Sequence, residues 1–169
     1  MKSAALTSVM LSIHLFLFPS AHAEPVIEIG SGFVENGTGV EIPILFNNRD
    51  DVIGIQFDVV FEPSFFDDVD TSHCLGQISD GGFLAACSRL DWPNRDIVRF
   101  VIVSLERQPL PSGQLGHLTF NANPDAESSV VPLDGLSCTG LAIGSELEEI
   151  PLTPGDYQAG EIVITGLEP

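Results

Sequence analysis

Positive charge is the feature that this sequence has least of. Its 169 residues include 24 Asp and Glu but only 6 Lys and Arg, which gives a formal net charge of −18 at pH 7. Phosphate backbones and anionic lipid surfaces repel a chain of this charge, so nucleic acid and membrane surfaces are excluded as expected partners. Apolar residues make up 44% of the chain and are spread along it, which argues against a disordered acidic segment.

Long apolar runs and helical periodicity are also missing. Beyond the N-terminal segment no apolar run reaches the roughly 18 residues that a membrane-spanning helix needs. Nowhere does an apolar period of 3.6 residues persist for three turns, so the sequence predicts no long amphipathic helix. The chain has a single Trp and a single Tyr, which leaves little aromatic surface for stacking on sugar rings.

Sequence motifs of catalysis and of metal binding are absent as well. His73 and His117, the two histidines beyond the N-terminal segment, lie in neither a His-Glu-x-x-His motif nor another metal-ligand spacing. The segments GQISDG (76–81) and GLSC (135–138) resemble the nucleophile elbow of hydrolases, but neither has the strand-to-helix context that this motif requires. We therefore predict that the protein is not an enzyme.

The first 23 residues have the composition of a secretory signal peptide. Lys2 precedes a short apolar run (4–18), and Ala-His-Ala at 21–23 fits the small-x-small cleavage site. The sequence predicts cleavage after Ala23, one domain over residues 24–169, and a secreted or periplasmic location. In an exported protein, two of the three cysteines are expected to pair, and the sequence alone allows three pairings among Cys74, Cys87 and Cys138.

The stretch VIGIQFDVVFEP (52–63) carries the strongest structural signal. Apolar residues occupy every second position from Ile53 to Phe61, and Gln56 and Asp58 fall between them. A period of two is typical of a strand with one buried face, so its other face carries Gln56 and Asp58, which are expected to need either water or a partner. Short patterns of this kind, separated by Gly, Pro, Asn and Asp, recur along the chain. They predict an all-β, two-sheet antiparallel sandwich of about nine strands.

Three local signals complete the pattern. Asn36-Gly37 lies between apolar segments and predicts a hairpin turn, and Pro43 places its strand near a sheet edge or a bulge. The acidic run Asp67, Asp68 and Asp70 is a candidate calcium site, because calcium prefers several oxygen ligands at one point. The run lacks the Gly and the distal Glu of an EF-hand loop, so we prefer a solvated acidic loop and expect no cofactor.

Four segments, taken in order, resemble strands of cohesin domains. VEIPILFNN is similar to the second cohesin strand, GIQFDVVFEP to the third with its aromatic-acid-Pro ending, and SGQLGHLTF and GEIVI to later strands (40–48, 54–63, 112–120 and 160–164). The resemblance implies a nine-stranded jelly-roll sandwich that binds a dockerin module on the sheet containing the third strand. It implies that strands five, three, six and eight share that sheet, and that strand four is an edge of the other sheet.

The resemblance also bears on particular residues. It implies that Cys74, after strand four, pairs with Cys87 in strand five, and that Cys138 stays free. Where cellulosomal cohesins often carry Asn and Asp on the third strand, this sequence has Gly54 and Gln56, so the charged pattern that binds the usual dockerin helix is absent.

Alternation and resemblance together predict a partner-binding patch on the outer face of the third and sixth strands, formed by Gln56, Asp58, Arg99 and Val101. We predict a non-catalytic module that binds a dockerin-like or other exported protein in polysaccharide breakdown. Reversing the charge of Asp58 is then expected to abolish binding with little change in melting temperature. The alternative is direct carbohydrate binding, with Trp92 as the stacking residue.

Overall fold

The structure is a computed structural model that describes residues 26–48, 51–76, 78, 82–92, 95–133 and 140–166. The predicted signal peptide and Cys138 lie outside these residues. Among the described residues no helix has the length and apolarity needed to cross a membrane. They include two single-turn 3₁₀ helices, Pro63–Phe65 and Pro154–Asp156, and the following strands: β1 (Val26–Ile29), β2 (Gly32–Glu35), β3 (Gly39–Asn47), β4 (Gly54–Phe61), β5 (Phe66–Asp70), β6 (Phe83–Trp92), β7 (Arg95–Ser104), β8 (Gly113–Ala122), β9 (Ser129–Leu133), β10 (Gly140–Ile143), β11 (Glu149–Leu152), β12 (Tyr157–Gln158) and β13 (Gly160–Thr165).

The strands form three sheets around one hydrophobic cluster. The first sheet has the order β11-β10-β4-β7-β6, with β4 at its centre. Across the cluster lie a five-stranded sheet, β12-β1-β3-β8-β5, and a three-stranded sheet, β2-β13-β9. The predicted all-β class is confirmed. Most neighbours are antiparallel as predicted, but β1 pairs with β12 and β2 with β13 in parallel.

The strand count exceeds nine because short strands escape a pattern of alternation. The polar stretch 145–155 contains β11, which forms an antiparallel hairpin with β10. Each of these strands has four residues, too few for a clear period of two. Pro151 also weakens the strand signal in β11, and the structure accommodates it at the edge of the sheet.

The Asn36-Gly37 turn is present, but the predicted hairpin is wrong. Gly37 has a φ of 73°, and Thr38 N donates to Glu35 O at 3.0 Å. The strands on either side of the turn enter different sheets, because β2 pairs with β13 and β3 pairs with β1 and β8. Pro43 lies in a central strand one residue before a register shift between Ile44 and Leu45, so the bulge alternative is confirmed.

Phenylalanine side chains dominate the core below β4. Phe57 stacks on Phe100 of the neighbouring strand, with 4.6 Å between ring centroids. Phe61 contacts Phe66 and Phe120 of the facing sheet edge to face, at 6.0 and 5.2 Å. The inner face of β4 therefore joins the layers, and each of these buried rings contributes roughly 1.5–3 kcal/mol to folding.

Candidate functional site

The strand register defines an outer face on the sheet that β4 centres. Gln56 lies opposite Val101, and Asp58 lies opposite Arg99, on adjacent antiparallel strands. Residues paired in this way point to the same side of a sheet. The structure thus brings all four predicted patch residues together. The outer face comprises Gly54, Gln56, Asp58 and Val60 of β4, Ile97, Arg99, Val101 and Val103 of β7, Leu84, Ala86, Ser88 and Leu90 of β6, and Ile143 of β10.

Aliphatic side chains occupy most of this face. Val101, Val103 and Ile143 are half-buried, and Leu84 on the edge strand is 62% exposed. Gly54 lies between Val103 and Ile143 in the register and is itself buried. A sheet face that meets only water is expected to be mostly polar, so this composition indicates a surface that is covered in use.

An ion pair lies among these aliphatic residues. Arg99 donates from Nε and Nη2 to the two carboxylate oxygens of Asp58, each at 2.8 Å, in a bidentate pair. Asp58 is only 5% exposed, whereas the Arg99 side chain is 38% exposed. Asp58 was expected to need either water or a partner, and Arg99 is that partner. The face of Asp58 was assigned correctly, but Arg99 and the neighbouring side chains of a central strand remove it from water.

Two exposed leucines, Leu105 and Leu147, lie beyond the end of this face that includes Leu84. Leu84 belongs to the row of Gly54 and Val103, while Leu105 follows β7 and Leu147 lies in the β10–β11 turn at the same end of the sheet. Leu105 is 68% and Leu147 54% exposed. Leu84 and Ile143 were not predicted as site residues. The alternation in FLAACSRL could have indicated Leu84, whereas the short β10 carries no comparable signal.

Comparison with known proteins identifies the architecture. No family model and no curated protein matches the chain. Solved structures do match. The seventh ScaB type I cohesin from Pseudobacteroides cellulosolvens has a TM-score of 0.61 and 15% identity, over 86% of this chain and 94% of that chain. A type I cohesin–dockerin complex from Clostridium thermocellum gives 0.59 and 12%, over 83% and 98%. A non-cellulosomal cohesin from Archaeoglobus fulgidus gives 0.58 and 15%, over 85% and 92%.

The chain has a cohesin-like fold. Within it, the sheet that the resemblance implied is the one centred on β4: β6, β4, β7 and β10 take the places of cohesin strands five, three, six and eight. The place of strand four is taken by β5, which is an edge of the facing five-stranded sheet. The candidate outer face therefore lies on the sheet to which the resemblance assigns partner binding.

Two covalent or ionic links close one side of the cohesin-like sandwich. The structure joins Cys74, after β5, to Cys87 in β6 by a disulfide with a Cα–Cα distance of 6.4 Å. Arg89 of β6 donates from Nε to the buried Asp96 at 2.8 Å and from Nη1 to Asp68 of β5 at 3.4 Å. The disulfide and the Arg89–Asp68 pair connect β6 to the facing layer, whereas the Arg89–Asp96 pair connects β6 to β7 of its own sheet.

The acidic run keeps its carboxylates apart from one another. Asp68 faces Arg89, and Asp70 accepts hydrogen bonds from Ser72 N at 2.7 Å and from Ser72 Oγ at 3.0 Å. These hydrogen bonds, aided by the nearby His73 and His117, lower the pKa of Asp70. In the described part of the chain no three His, Cys, Asp or Glu side chains are arranged to hold a metal ion. The calcium site stays a prediction.

Proposed function

We propose that this protein is a non-catalytic docking module that binds a dockerin-like protein on the outer face of the β4 sheet. The observation that carries the proposal is the composition of that face, in which half-buried aliphatic side chains surround a bidentate ion pair. An apolar centre with a few paired polar groups is typical of protein interfaces. Among the solved structures with this fold, several are titled as cohesin–dockerin complexes.

The outer face offers the partner two kinds of contact. Val101 and Val103 of β7 and Ile143 of β10 supply an apolar surface on two strands, and such side chains dock well against the apolar stripe of a helix. The exposed part of the Arg99 guanidinium supplies hydrogen-bond donors whose charge Asp58 already compensates. We propose that the partner places aliphatic side chains over the valines and a carbonyl or carboxylate oxygen near Arg99.

Gly54 and Gln56, two successive outward-facing residues of β4, give this module its own specificity. Neither residue carries a charge, and a Cβ added at Gly54 would make only ordinary contacts of 3.5–3.6 Å, among them with Ile143. The absence of side-chain bulk at Gly54 lets a partner approach the backbone of β4. We propose that the partner differs from the dockerins that the Asn and Asp of cellulosomal cohesins bind.

Export and a role in polysaccharide breakdown are part of the proposal. The signal-like segment 1–23 supports export, and so does the Cys74–Cys87 disulfide, because such bonds persist in oxidising compartments. The single tyrosine, Tyr157, is buried and offers no stacking surface to a sugar ring. This favours a protein partner over the direct carbohydrate binding that we kept as the alternative.

A capture experiment with a matched control tests the docking face. Immobilised wild type and Val101→Glu are incubated with the exported proteins of the source organism. Val163→Glu is the control, since Val163 is an equally half-buried valine on a central strand of the three-stranded sheet. We expect a single partner that wild type and Val163→Glu retain and Val101→Glu loses, since a charge in the centre of an apolar interface leaves that charge unpaired.

Two further arms identify the partner class. Loss of the partner in EDTA would support a calcium-loaded dockerin, and retention would indicate a calcium-independent protein. If Val101→Glu retains the partner and Val163→Glu loses it, the partner docks on the three-stranded sheet and not on the outer face of the β4 sheet. If wild type instead binds insoluble polysaccharide and Trp92→Ala does not, the carbohydrate alternative replaces the protein-binding proposal.

A further inference from the structure

Two histidines that are distant in sequence lie side by side in the fold. His117 N donates to His73 O at 3.2 Å, so the segment after β5 continues alongside β8. The two imidazole rings are stacked, with centroids 5.4 Å apart and an angle of 26° between their planes. Cross-strand neighbours of this kind present their side chains to the same side of the sheet.

The backbone holds the two residues in this position. A Cβ at Gly116 would overlap the carbonyl group of Cys74, so only glycine allows the chain after His73 to approach β8 this closely. The Cys74–Cys87 disulfide ties the same segment to β6. Because His73 adjoins a covalent link and His117 lies inside a strand, the backbones of the two residues are held side by side, and rotation of the side chains brings their nitrogen atoms toward one point.

Carboxylates surround the histidine pair on the same side. Glu41 Oε1 lies 3.9 Å from His117 Nε2. Asp70 lies opposite Thr119, two residues along β8 from His117, so its side chain is on the same side of the sheet as His117. His73 is exposed and His117 is 26% exposed, so the cluster is accessible from solvent.

We propose that His73 and His117 together bind a divalent transition-metal ion, with Cu²⁺ preferred over Ni²⁺ and Zn²⁺. Neutral imidazole nitrogen is a ligand that suits these ions, and affinity for them peaks at Cu²⁺. No third ligand converges on the pair in the described residues. Water completes the coordination, or Glu41 or Asp70 does so after a change of side-chain conformation. The site lies next to Asp70 of the predicted calcium site but differs from it in its ligands, because calcium would use oxygen atoms alone.

Calorimetric titration of the tag-free full chain tests the site. The probes are CuCl₂, NiCl₂, ZnCl₂ and CaCl₂ at pH 7.5, applied to wild type, His73→Ala, His117→Ala and the double variant. The chain has four histidines, and His14→Ala with His22→Ala in the N-terminal segment is the matched control. Melting curves recorded in EDTA check that each variant is folded.

We expect one equivalent of Cu²⁺ to bind wild type and the His14/His22 control equally, and each single variant to bind at least about tenfold more weakly. Absence of Cu²⁺, Ni²⁺ and Zn²⁺ binding to wild type would overturn the proposal. Unchanged affinity in folded His73→Ala and His117→Ala, or equal affinity for Ca²⁺, would do so too.

Discussion

Phe57 and Asp58 are consecutive residues on opposite faces of one strand, and both are buried. Phe57 is 0% exposed and stacks on Phe100, while Asp58 is 5% exposed and is held by Arg99. The inner face of β4 excludes water through close packing of apolar side chains. On the outer face, side chains of the same sheet, Arg99 among them, shield Asp58 from water. A residue can therefore face outward without facing water.

This difference bears on how the outer face can bind a partner. The charge of Asp58 is already withdrawn from solvent and compensated in the free protein. Docking over it therefore requires less further desolvation than covering a hydrated carboxylate would. The carboxylate of Asp58 is thus paired with the Arg99 guanidinium before any partner binds.

Truncation on the inner face should give the largest effect. Phe57→Ala removes a fully buried ring and its stack on Phe100, so we expect a loss of about 3–5 kcal/mol in the free energy of unfolding. Chemical denaturation monitored by circular dichroism measures it. Partner binding by the fraction that remains folded should be unchanged. A loss below about 1 kcal/mol would mean that the inner face is loosely packed.

Breaking the ion pair on the outer face should give an intermediate effect. Asp58→Ala leaves the Arg99 guanidinium without its bidentate acceptor. Because Arg99 is 38% exposed, water compensates in part, and we expect a loss of about 1–3 kcal/mol rather than the full value for a buried pair. Thermal and urea melts measure it. This corrects the expectation that reversing the charge of Asp58 would leave the melting temperature nearly unchanged.

The matched variant separates pairing from charge. Arg99→Ala removes the partially exposed member and leaves the buried carboxylate, which has less access to water. It should therefore destabilise the fold at least as much as Asp58→Ala. If both variants have the melting temperature of wild type, the ion pair contributes nothing to the stability of the fold. Asp58 would then be a candidate for direct contact with the partner.

The sequence could predict the long strands of this fold because their alternation is a local property. The run from Ile53 to Phe61 and its counterpart in β7 identified both strands, the two faces of the sheet and the residues that share them. Burial of Asp58 could not be predicted, since it depends on Arg99 in another strand. The His73–His117 pair was missed for the same reason: the contact depends on β8 accepting a loop beside Gly116, which no motif spacing records.

Substitution at the rim of the outer face should have the smallest effect on stability. Leu84 is 62% exposed on the edge strand β6, so Leu84→Ser should change the free energy of unfolding by no more than about 0.5 kcal/mol. Phe33, 80% exposed on β2 in the three-stranded sheet, provides the matched substitution Phe33→Ser. If the outer face of the β4 sheet is the docking face, Leu84→Ser weakens partner binding and Phe33→Ser does not. A titration of each variant with the partner measures this. If Leu84→Ser and Phe33→Ser weaken binding equally, exposed apolar residues on both sheets contribute to binding, and the β4 sheet is not the specific docking face.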